Sequence, residues 1–316
     1  MHGHRIKRSL NGVLMLDKAR GASSNAALQQ AKRLYQAAKA GHAGTLDPLA
    51  TGLLPVLFGE ATKFSSDLLE ADKTYAAEIR LGVSTATADA EGEVTSTRAV
   101  NVTAQQLAVA LESFHGDILQ IPPIYSALKH AGKPLYAYAR AGIDVARAPR
   151  QVTIRALVLQ WFEGDRLAIS VTCSKGTYIR SIAHDLGEAL GCGAHLAGLR
   201  RTAVGRFGLD CAHTLEHLEA LPIDERDALL LPLDALLQDL PEVRLEAAQQ
   251  ARFLQDQGVT WAGQPQARVR VYGSGGALLG VGEADADGVI SPKRVIAQAQ
   301  VSLRHAEEFQ KIEENP

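Results

Sequence analysis

A glycine-punctuated segment from Gly41 to Gly52 constrains this chain most, because it fixes one acidic side chain in a tight loop. The segment reads Gly-His-Ala-Gly-Thr-Leu-Asp-Pro-Leu-Ala-Thr-Gly, and its acid, Asp47, is followed directly by Pro48. Glycine adopts backbone angles that other residues resist, and proline restrains both itself and the residue before it. We therefore predict an exposed loop that holds the Asp47 carboxylate rigidly. For an isolated Asp-Pro pair, the alternative is an Asx-type turn, in which the aspartate bonds only its own backbone.

Composition narrows the class of protein. The 316 residues give room for one large domain and a small one, and 46% of them are hydrophobic. No apolar run approaches the ~20 residues of a membrane helix, and the charged start lacks the apolar stretch of a signal peptide. The three cysteines, Cys173, Cys192 and Cys211, are far apart and lack a Cys-x-x-Cys or paired-histidine context. We expect a cytoplasmic protein with no membrane segment, no disulfide framework and no metal site.

The charge distribution predicts a nucleic-acid ligand, although the net charge is only −2. Residues 1–46 carry eight Lys or Arg against one acid, and residues 129–155 carry six against one acid. Residues 216–246 have the opposite balance, with nine acids against two arginines. A basic face backed by an acidic flank is typical of a phosphate-binding surface on a protein of neutral total charge. For any single cluster, the alternative is an ordinary solvated helix face.

The hydrophobic pattern predicts an α+β fold. Strands are expected at 13–16, 73–81, 152–161 and 167–171, and helices at 24–35, 103–114 and 178–190. These elements lack regular βαβ alternation, which favours a largely antiparallel sheet. A boundary is expected near Leu240 and Pro241, after an acidic, leucine-rich helical stretch. Beyond it, short strands separated by glycine turns indicate a small β-barrel.

Six segments, in order along the chain, resemble the motifs of the TruB family of pseudouridine synthases. They cover roughly residues 11–208. They are an opening strand with its lysine at 11–18, the aspartate loop at 41–52, a tyrosine motif at 72–75, an RNA-gripping insertion beginning at 123, an arginine motif at 174–180 and a pocket-closing segment at 193–202.

The resemblance implies both a fold and a division into domains. The fold is a pseudouridine-synthase-like mixed, largely antiparallel sheet flanked by helices, with a small PUA-like β-barrel at the C-terminal end. The implied units are a catalytic domain at 10–215 containing the insertion 123–150, a helical connector at 216–241, a PUA-like RNA-binding domain at 242–301 and a tail at 302–316.

The implied reaction is the isomerisation of uridine to pseudouridine at position 55, in the T-loop of tRNA. The nucleotide is flipped out of the loop, the N1–C1′ glycosidic bond breaks, the uracil rotates and C5 bonds to C1′. Neither redox chemistry nor hydrolysis is involved, so no cofactor is expected. The chain also lacks the glycine motifs of dinucleotide and nucleoside triphosphate sites. The expected partner is the T-arm stem-loop of tRNA, without a guide RNA, and a monomer is the default state.

The resemblance and the chemistry together assign roles to individual residues. Asp47 is the expected nucleophile, Arg180 its ionic partner through a two-nitrogen fork, and Tyr75 the residue that stacks on the base or moves a proton. The remaining candidates are the substrate-binding residues His42, Tyr178 and Leu199, together with Asp89, Lys18 and Lys129 as residues that support the catalytic groups from behind or contact RNA.

Several alternatives remain open at this level. The sequence does not decide whether Asp47 attacks C1′, adds to C6 of the base or assists removal of the 2′ proton. An RNA-folding helper, with or without catalysis, is a second functional class. A glycoside or nucleoside hydrolase is a third, although it would usually need a second carboxylate at a defined separation. A guide-RNA-dependent relative is disfavoured because the insertion resembles the stand-alone bacterial form.

Overall fold

The computed structural model describes residues 7–296, and a sheet of nine strands forms its centre. In the catalytic part of the chain, the strands are β1 (Gly12–Lys18), β2 (Ala40–His42), β3 (Thr51–Phe58), β4 (Lys73–Leu81), β5 (Val83–Thr85), β6 (Val94–Thr97), β7 (Gly116–Gln120), β8 (Lys129–His130), β9 (Lys133–Pro134), β10 (Arg150–Glu163), β11 (Arg166–Cys173), β12 (Ala194–Val204) and β13 (Phe207–Gly208).

The central sheet is mixed but largely antiparallel, as predicted. Its strands follow the order β1-β3-β12-β4-β11-β10-β7, with β2 paired to β3 and β13 paired to β12. Only the β12–β3 pairing is parallel among the pairings of this sheet within residues 7–296. In β4, the buried Ala77, Ile79 and Leu81 alternate with exposed residues, which confirms the half-buried strand predicted there.

Helices flank this sheet, and their ends follow the capping residues in the sequence. The Ser23 side chain caps the first helix by accepting from Ala26 N, and Thr103 forms a capping box with Gln106 at the third. The α-helices are α1 (Ser24–Leu34), α2 (Ser65–Glu70), α3 (Ala104–Glu112), α4 (Leu135–Arg140), α5 (Ile179–Ala189), α6 (Leu215–Ala220), α7 (Ile223–Ala228) and α8 (Ala247–Leu254). Short 3-10 segments occupy Gly59–Phe64, Leu209–Cys211 and Leu233–Leu237.

Two hydrophobic clusters meet next to the loop that carries Asp47. One packs α3 and α5 against the sheet, with Ile182 and Leu186 fully buried. The other packs α1 and α6 around β1 and β3. Tyr75 and Leu199 contact both clusters, so they lie at the junction between the two cores.

A long insertion interrupts the sheet between β7 and β10. It contains the β8–β9 hairpin and α4, and many of its side chains are exposed. The aromatic rings of His130 and Tyr138 meet edge to face, and Arg140 lies over the ring of Tyr136. This segment corresponds to the predicted insertion at 123–150, whose RNA-binding role stays a prediction.

A second sheet forms the small C-terminal β unit predicted after Pro241. Its strands are β14 (Glu242–Arg244), β15 (Val259–Thr260), β16 (Gln266–Tyr272), β17 (Leu278–Ala284) and β18 (Val289–Val295), in the order β14-β16-β17-β18-β15. Phe253 and Leu254 of α8 lie in its core.

The C-terminal sheet also packs against the catalytic part. Val281 and Ile296 share a cluster with Val13 and Met15, and Lys63 Nζ donates to Val295 O at 2.8 Å. The predicted domain limits stay predictions, and residues 297–301 and the tail 302–316 lie outside the described part of the chain. None of the helices in residues 7–296 has the length and apolar character needed to span a bilayer.

Candidate active site

The loop between β2 and β3 crosses the junction of the two hydrophobic clusters and carries Asp47. Leu46 is buried in the α1 cluster and Leu49 in the α5 cluster, so the acid between them is anchored from both sides. Gly52 is the second residue of β3, directly after this loop, and has a φ of +97°. A Cβ at this position would lie 2.2 Å from Arg201 O. The sequence needs glycine at this position both for the backbone angle and for the close approach of β12.

Two buried polar side chains hold the Asp47 loop, and sequence reasoning missed the role of each. The hydroxyl of Ser24 donates to Leu46 O at 2.9 Å and accepts from Leu46 N at 2.7 Å. Arg201 is only 1% exposed; its Nε donates to Leu53 O at 2.7 Å and its Nη2 to Gly44 O at 2.9 Å. The loop is therefore braced by side chains from α1 and β12.

Arg180 lies between Asp47 and Asp89. Its Nε is 2.9 Å from Asp47 Oδ2 and 3.7 Å from Asp89 Oδ2. The Asp47 side chain remains 41% exposed, whereas those of Arg180 and Asp89 are each 5% exposed. Asp47 is thus the member of this triad that a ligand can reach, and Asp89 lies behind the arginine.

The other nitrogens of Arg180 are used elsewhere. Nη1 donates to Thr87 O at 3.3 Å and Nη2 to Tyr125 O at 2.9 Å. The two-nitrogen fork to Asp47 expected from the sequence is therefore wrong as a description of this contact, which runs through Nε. The physical reason is that each terminal nitrogen of the buried guanidinium donates to a backbone carbonyl, which leaves Nε facing Asp47.

Asp89 is held too firmly to act as a second, mobile acid. Its Oδ1 accepts from Thr87 Oγ1 and from Glu91 N at 3.1 Å, while Oδ2 faces Arg180. This geometry matches the supporting role expected for Asp89 behind the arginine. It gives no support to the hydrolase alternative, which would need a free carboxyl group at a defined distance from the first.

Burial raises the pKa of Asp47, and the charges of Arg180 and Lys18 oppose that shift. Lys18 is fully buried; its Nζ donates to Ala19 O and Ala22 O at 2.9 and 2.7 Å, and burial lowers its pKa. The burial of Lys18 leaves no surface for direct RNA contact here, so a supporting role behind Asp47 is the alternative that fits. Its charge helps Asp47 to stay ionised.

Tyr75 faces the same pocket from β4. Burial raises the pKa of its hydroxyl, although the nearby Arg201 cation opposes the rise. Two residues earlier, Lys73 Nζ donates to the carbonyls of Leu68, Leu69 and Ala71, which close α2. Burial, together with Arg201, lowers the pKa of Lys73 to about 8. Lys73 thereby fixes the start of the strand that presents Tyr75.

These side chains surround a pocket of about 650 Å³. The structure brings together five of the predicted residues and Asp89 at its wall. The lining includes Asp47, Tyr75, Asp89, Tyr178, Arg180 and Leu199. Other lining residues come from the insertion, among them Tyr125, Tyr136 and Arg140, so the pocket extends from Asp47 to the insertion.

Three predicted residues lie away from this lining: the buried Lys18, His42 and Lys129. His42 ends β2 beside the pocket; its Nδ1 is buried without a hydrogen-bond partner, and burial lowers the pKa of the ring. Lys129 is exposed on the β8–β9 hairpin. Their contacts with a substrate stay predictions. In the described part of the chain, no cluster of three or more His, Cys, Asp or Glu side chains could hold a metal ion.

Solved structures share this fold over nearly the whole chain. A structure of a Cbf5–Nop10–Gar1 complex matches with a TM-score of 0.68 at 25% identity, covering 90% of this chain and 84% of that chain. An archaeal box H/ACA sRNP Nop10–Cbf5 complex matches with a TM-score of 0.67 at 24% identity, covering 91% and 86%.

Sequence relatives are much more similar. A tRNA pseudouridine synthase B from Burkholderia mallei (strain NCTC 10247) is 58% identical over 297 residues, covering 92% of this chain and 98% of the relative. One from Methylobacillus flagellatus is 53% identical over 300 residues, covering 95% and 99%.

Family profiles match three successive stretches. Residues 32–179 match the N-terminal domain of the TruB family pseudouridylate synthases, 180–238 the C-terminal domain of tRNA pseudouridylate synthase B, and 241–296 the C-terminal region of pseudouridine synthase II TruB. Fold and site thus define a pseudouridine synthase with a PUA-like C-terminal unit. More particularly, the chain belongs to the TruB family. It is an enzyme that isomerises uridine to pseudouridine in tRNA.

Proposed function

We propose that this enzyme acts on uridine 55 in the T-loop of tRNA, with Asp47 as the nucleophile. The observation that carries the proposal is the Asp47–Arg180 contact of 2.9 Å, made by a half-exposed carboxylate and a buried guanidinium at a pocket wide enough for a nucleotide. An accessible, charge-stabilised carboxylate suits attack on an electrophilic carbon. In the net reaction the N1–C1′ bond breaks, a C5–C1′ bond forms, C5 loses a proton and N1 gains one.

Arg180 keeps Asp47 ionised in this scheme. Burial favours the neutral carboxyl, and a cation at 2.9 Å favours the charged form that can attack. The three routes, attack at C1′, addition at C6 and assistance of 2′ deprotonation, all need this ionised form. The contacts of Asp47 therefore support each of them.

Tyr75 is proposed to stack on the flipped uracil. Because burial raises the pKa of its hydroxyl, the side chain remains a neutral phenol at neutral pH. A neutral ring provides stacking worth about 1–3 kcal/mol per base, which offsets part of the cost of unstacking the nucleotide. Tyr178 and Leu199 complete the pocket wall. His42 is proposed to fill the gap left by the flipped nucleotide or to stack against that nucleotide.

The T-arm is proposed to bind directly, without a guide RNA. The relatives that cover nearly the whole chain at 53% and 58% identity are named for tRNA, whereas the Cbf5 structures are multi-protein complexes of lower identity. The insertion supplies exposed cations and aromatic rings next to the pocket, as expected of a stem-loop grip. We propose that the enzyme works as a monomer in the cytoplasm, where tRNA is the substrate, and that tRNA folding accompanies binding.

The test is Asp47→Asn on tRNA transcripts labelled with tritium at uracil C5, since each turnover releases that label. We expect release at background level, with unchanged tRNA affinity and a cooperative thermal transition. Asp165→Asn, at the exposed turn before β11, is the matched control and should react like the parent. Tritium release by both Asp47→Asn and Asp47→Ala would refute the nucleophile role. Release from a transcript with cytidine at position 55 would refute the assigned position.

A further inference from the structure

The insertion leaves and rejoins the central sheet at one point. β7 ends at Gln120, β10 begins at Arg150, and these two residues are direct partners in the antiparallel register. Residues 121–149 are therefore attached through a single neck. Arg147 Nη1 donates to Pro122 O at 3.2 Å, which ties the returning limb to the outgoing one.

The side chain of Gln120 is turned into the protein at this neck. It is 2% exposed, and its Nε2 donates to Tyr178 O at 3.0 Å while its Oε1 accepts from Tyr178 N at 2.7 Å. One amide thus satisfies both backbone groups of one residue, as a neighbouring strand would. Tyr178 has extended angles, φ −102° and ψ 111°, and directly precedes α5.

Two more contacts join the same two segments. Ser181 Oγ donates to Ile121 O at 3.1 Å, and Arg180 Nη2 donates to Tyr125 O at 2.9 Å. Tyr178 and the first turn of α5, which carries the partner of Asp47, are therefore connected at three positions to Gln120 and the first residues of the insertion. Of these connections, only that of Gln120 is bidentate.

We propose that Gln120 is a positioning residue that couples the insertion to Tyr178 and Arg180. When RNA engages the insertion, the neck fixes the backbone of Tyr178, and through it the first turn of α5 and the guanidinium next to Asp47. Without this amide, the peptide N–H of Tyr178 would lose its partner, whereas its carbonyl would keep those from Ser181 N and Ile182 N, so the segment before α5 would be held less firmly. The proposal rests on the proposed roles of Tyr178 and Arg180.

The first test replaces Gln120 with methionine, which has a similar volume but no amide. We expect the single-turnover rate constant to fall by about tenfold or more, because small displacements of reacting groups are costly. The dissociation constant for tRNA should change by less than about threefold, since the basic groups of the insertion remain. Gln151→Met is the matched control: Gln151 is exposed in β10, and its Nε2 contacts Asp117 Oδ2 at 3.2 Å.

The second test replaces Gln120 with glutamate. A protonated carboxyl offers one donor and one acceptor, as the amide does, whereas a carboxylate only accepts and would repel Tyr178 O. Burial raises the pKa of an introduced carboxyl, so the protonated form is accessible. The ratio of the Gln120→Glu rate to the parent rate should therefore rise as the pH falls from 8 to 6. The same ratio for Gln120→Met should stay flat.

A folded Gln120→Met variant with the parent's rate would overturn the proposal, and so would a loss confined to tRNA affinity. If Gln120→Met does not fold, the Gln120→Glu series decides alone, and a pH-independent ratio overturns the proposal. The parallel Asp47→Asn assay keeps the two proposals separate. Turnover by that variant would refute the nucleophile role and leave the pH ratio of Gln120→Glu to be judged independently.

Discussion

Arg201 lies directly opposite Tyr75 in the register between β12 and β4, and its side chain continues to the loop that carries Asp47. One buried arginine therefore connects the ring proposed to stack on the base with the loop that holds the nucleophile. The hydrogen bonds of its guanidinium go to the carbonyls of Gly44 and Leu53. Arg201 positions both sides of the pocket, although it carries neither proposed chemical step.

Arg201→Met should destabilise the enzyme by about 2–4 kcal/mol, because two charge-assisted hydrogen bonds disappear, one of them to the buried carbonyl of Leu53. Arg80→Met is the matched control, since Arg80 is 45% exposed and pairs with Asp165, which is 46% exposed. Removing the Arg80 side chain should cost about 0–1 kcal/mol. Urea denaturation of the three proteins measures the difference. Equal costs for the two substitutions would show that the Arg201 contacts contribute little.

Gly52→Ala should be far more damaging than alanine at another left-handed glycine. Gly52 and Gly191 both have positive φ, +97° and +76°, but a Cβ at Gly191 meets nothing within 4 Å, whereas one at Gly52 would lie 2.2 Å from Arg201 O. The control should cost about 1–2 kcal/mol from backbone strain alone. Gly52→Ala adds a clash between two strands, so it should cost at least about 2 kcal/mol more. Thermal melts measure the difference between the two variants. If it is smaller than this, the requirement for glycine at position 52 comes from the backbone angle alone.

The sequence predicted the central strands and the helix starts well for a physical reason. Alternating burial in β4 and the capping side chains of Ser23 and Thr103 act within a few residues, so their signals are local. The Asp47 loop is likewise a local pattern of glycine and proline. The ionic contact of Asp47 with Arg180 was found only because two separate motifs resemble one family.

The supporting residues were not predictable because their partners are backbone groups brought near by tertiary packing. Gln120 pairs with the peptide of Tyr178, and Ser24 with that of Leu46. Neither contact can be recognised from the spacing of residues or the composition of the sequence. Charge counting also overestimated the free basic surface, since Lys18 is buried and Arg8 pairs with Asp227 in the acidic segment.

The pH dependence of turnover should report the ionisation of Asp47. Burial raises the pKa of this carboxyl, so the rate should decline with falling pH at values above the usual range for aspartate, about 3.9. Arg180→Met removes the opposing cation, so the acidic limb of the single-turnover profile should move to higher pH and the plateau should fall. Arg98→Met removes a surface partner of Glu188 and should leave the limb in place. An unmoved limb in Arg180→Met would contradict the proposed role of the arginine.

Asp47→Asn should increase stability at neutral pH. Because the native pKa is raised, the native state binds more protons than the unfolded chain between the unfolded and native pKa values. The stability contributed by the neutral carboxyl is therefore present at low pH and is lost as the pH rises through the native pKa. Asparagine does not titrate, so the variant's melting temperature should exceed the parent's at pH 7, and this advantage should vanish near pH 3. A lower melting temperature at pH 7 would show that the attraction between Arg180 and ionised Asp47 stabilises the protein by more than the burial of the charged carboxylate costs.

The insertion should contribute to tRNA affinity through phosphate interactions that salt weakens. Lys129 and Arg140 are both exposed, and Arg140 also lines the pocket beside Tyr136. Replacing both with alanine should lower the slope of log affinity against log salt by about 0.7–0.9 for each phosphate that is no longer neutralised. Arg80 and Arg98 provide a control pair, because each is exposed but bound to an acid at the surface. Filter binding of tRNA between low and moderate salt measures both slopes, and single-turnover rates at saturating enzyme should remain near the parent's. If the two double variants give the same slope, the RNA interface lies outside this insertion, and the pocket residues it supplies serve the flipped nucleotide alone.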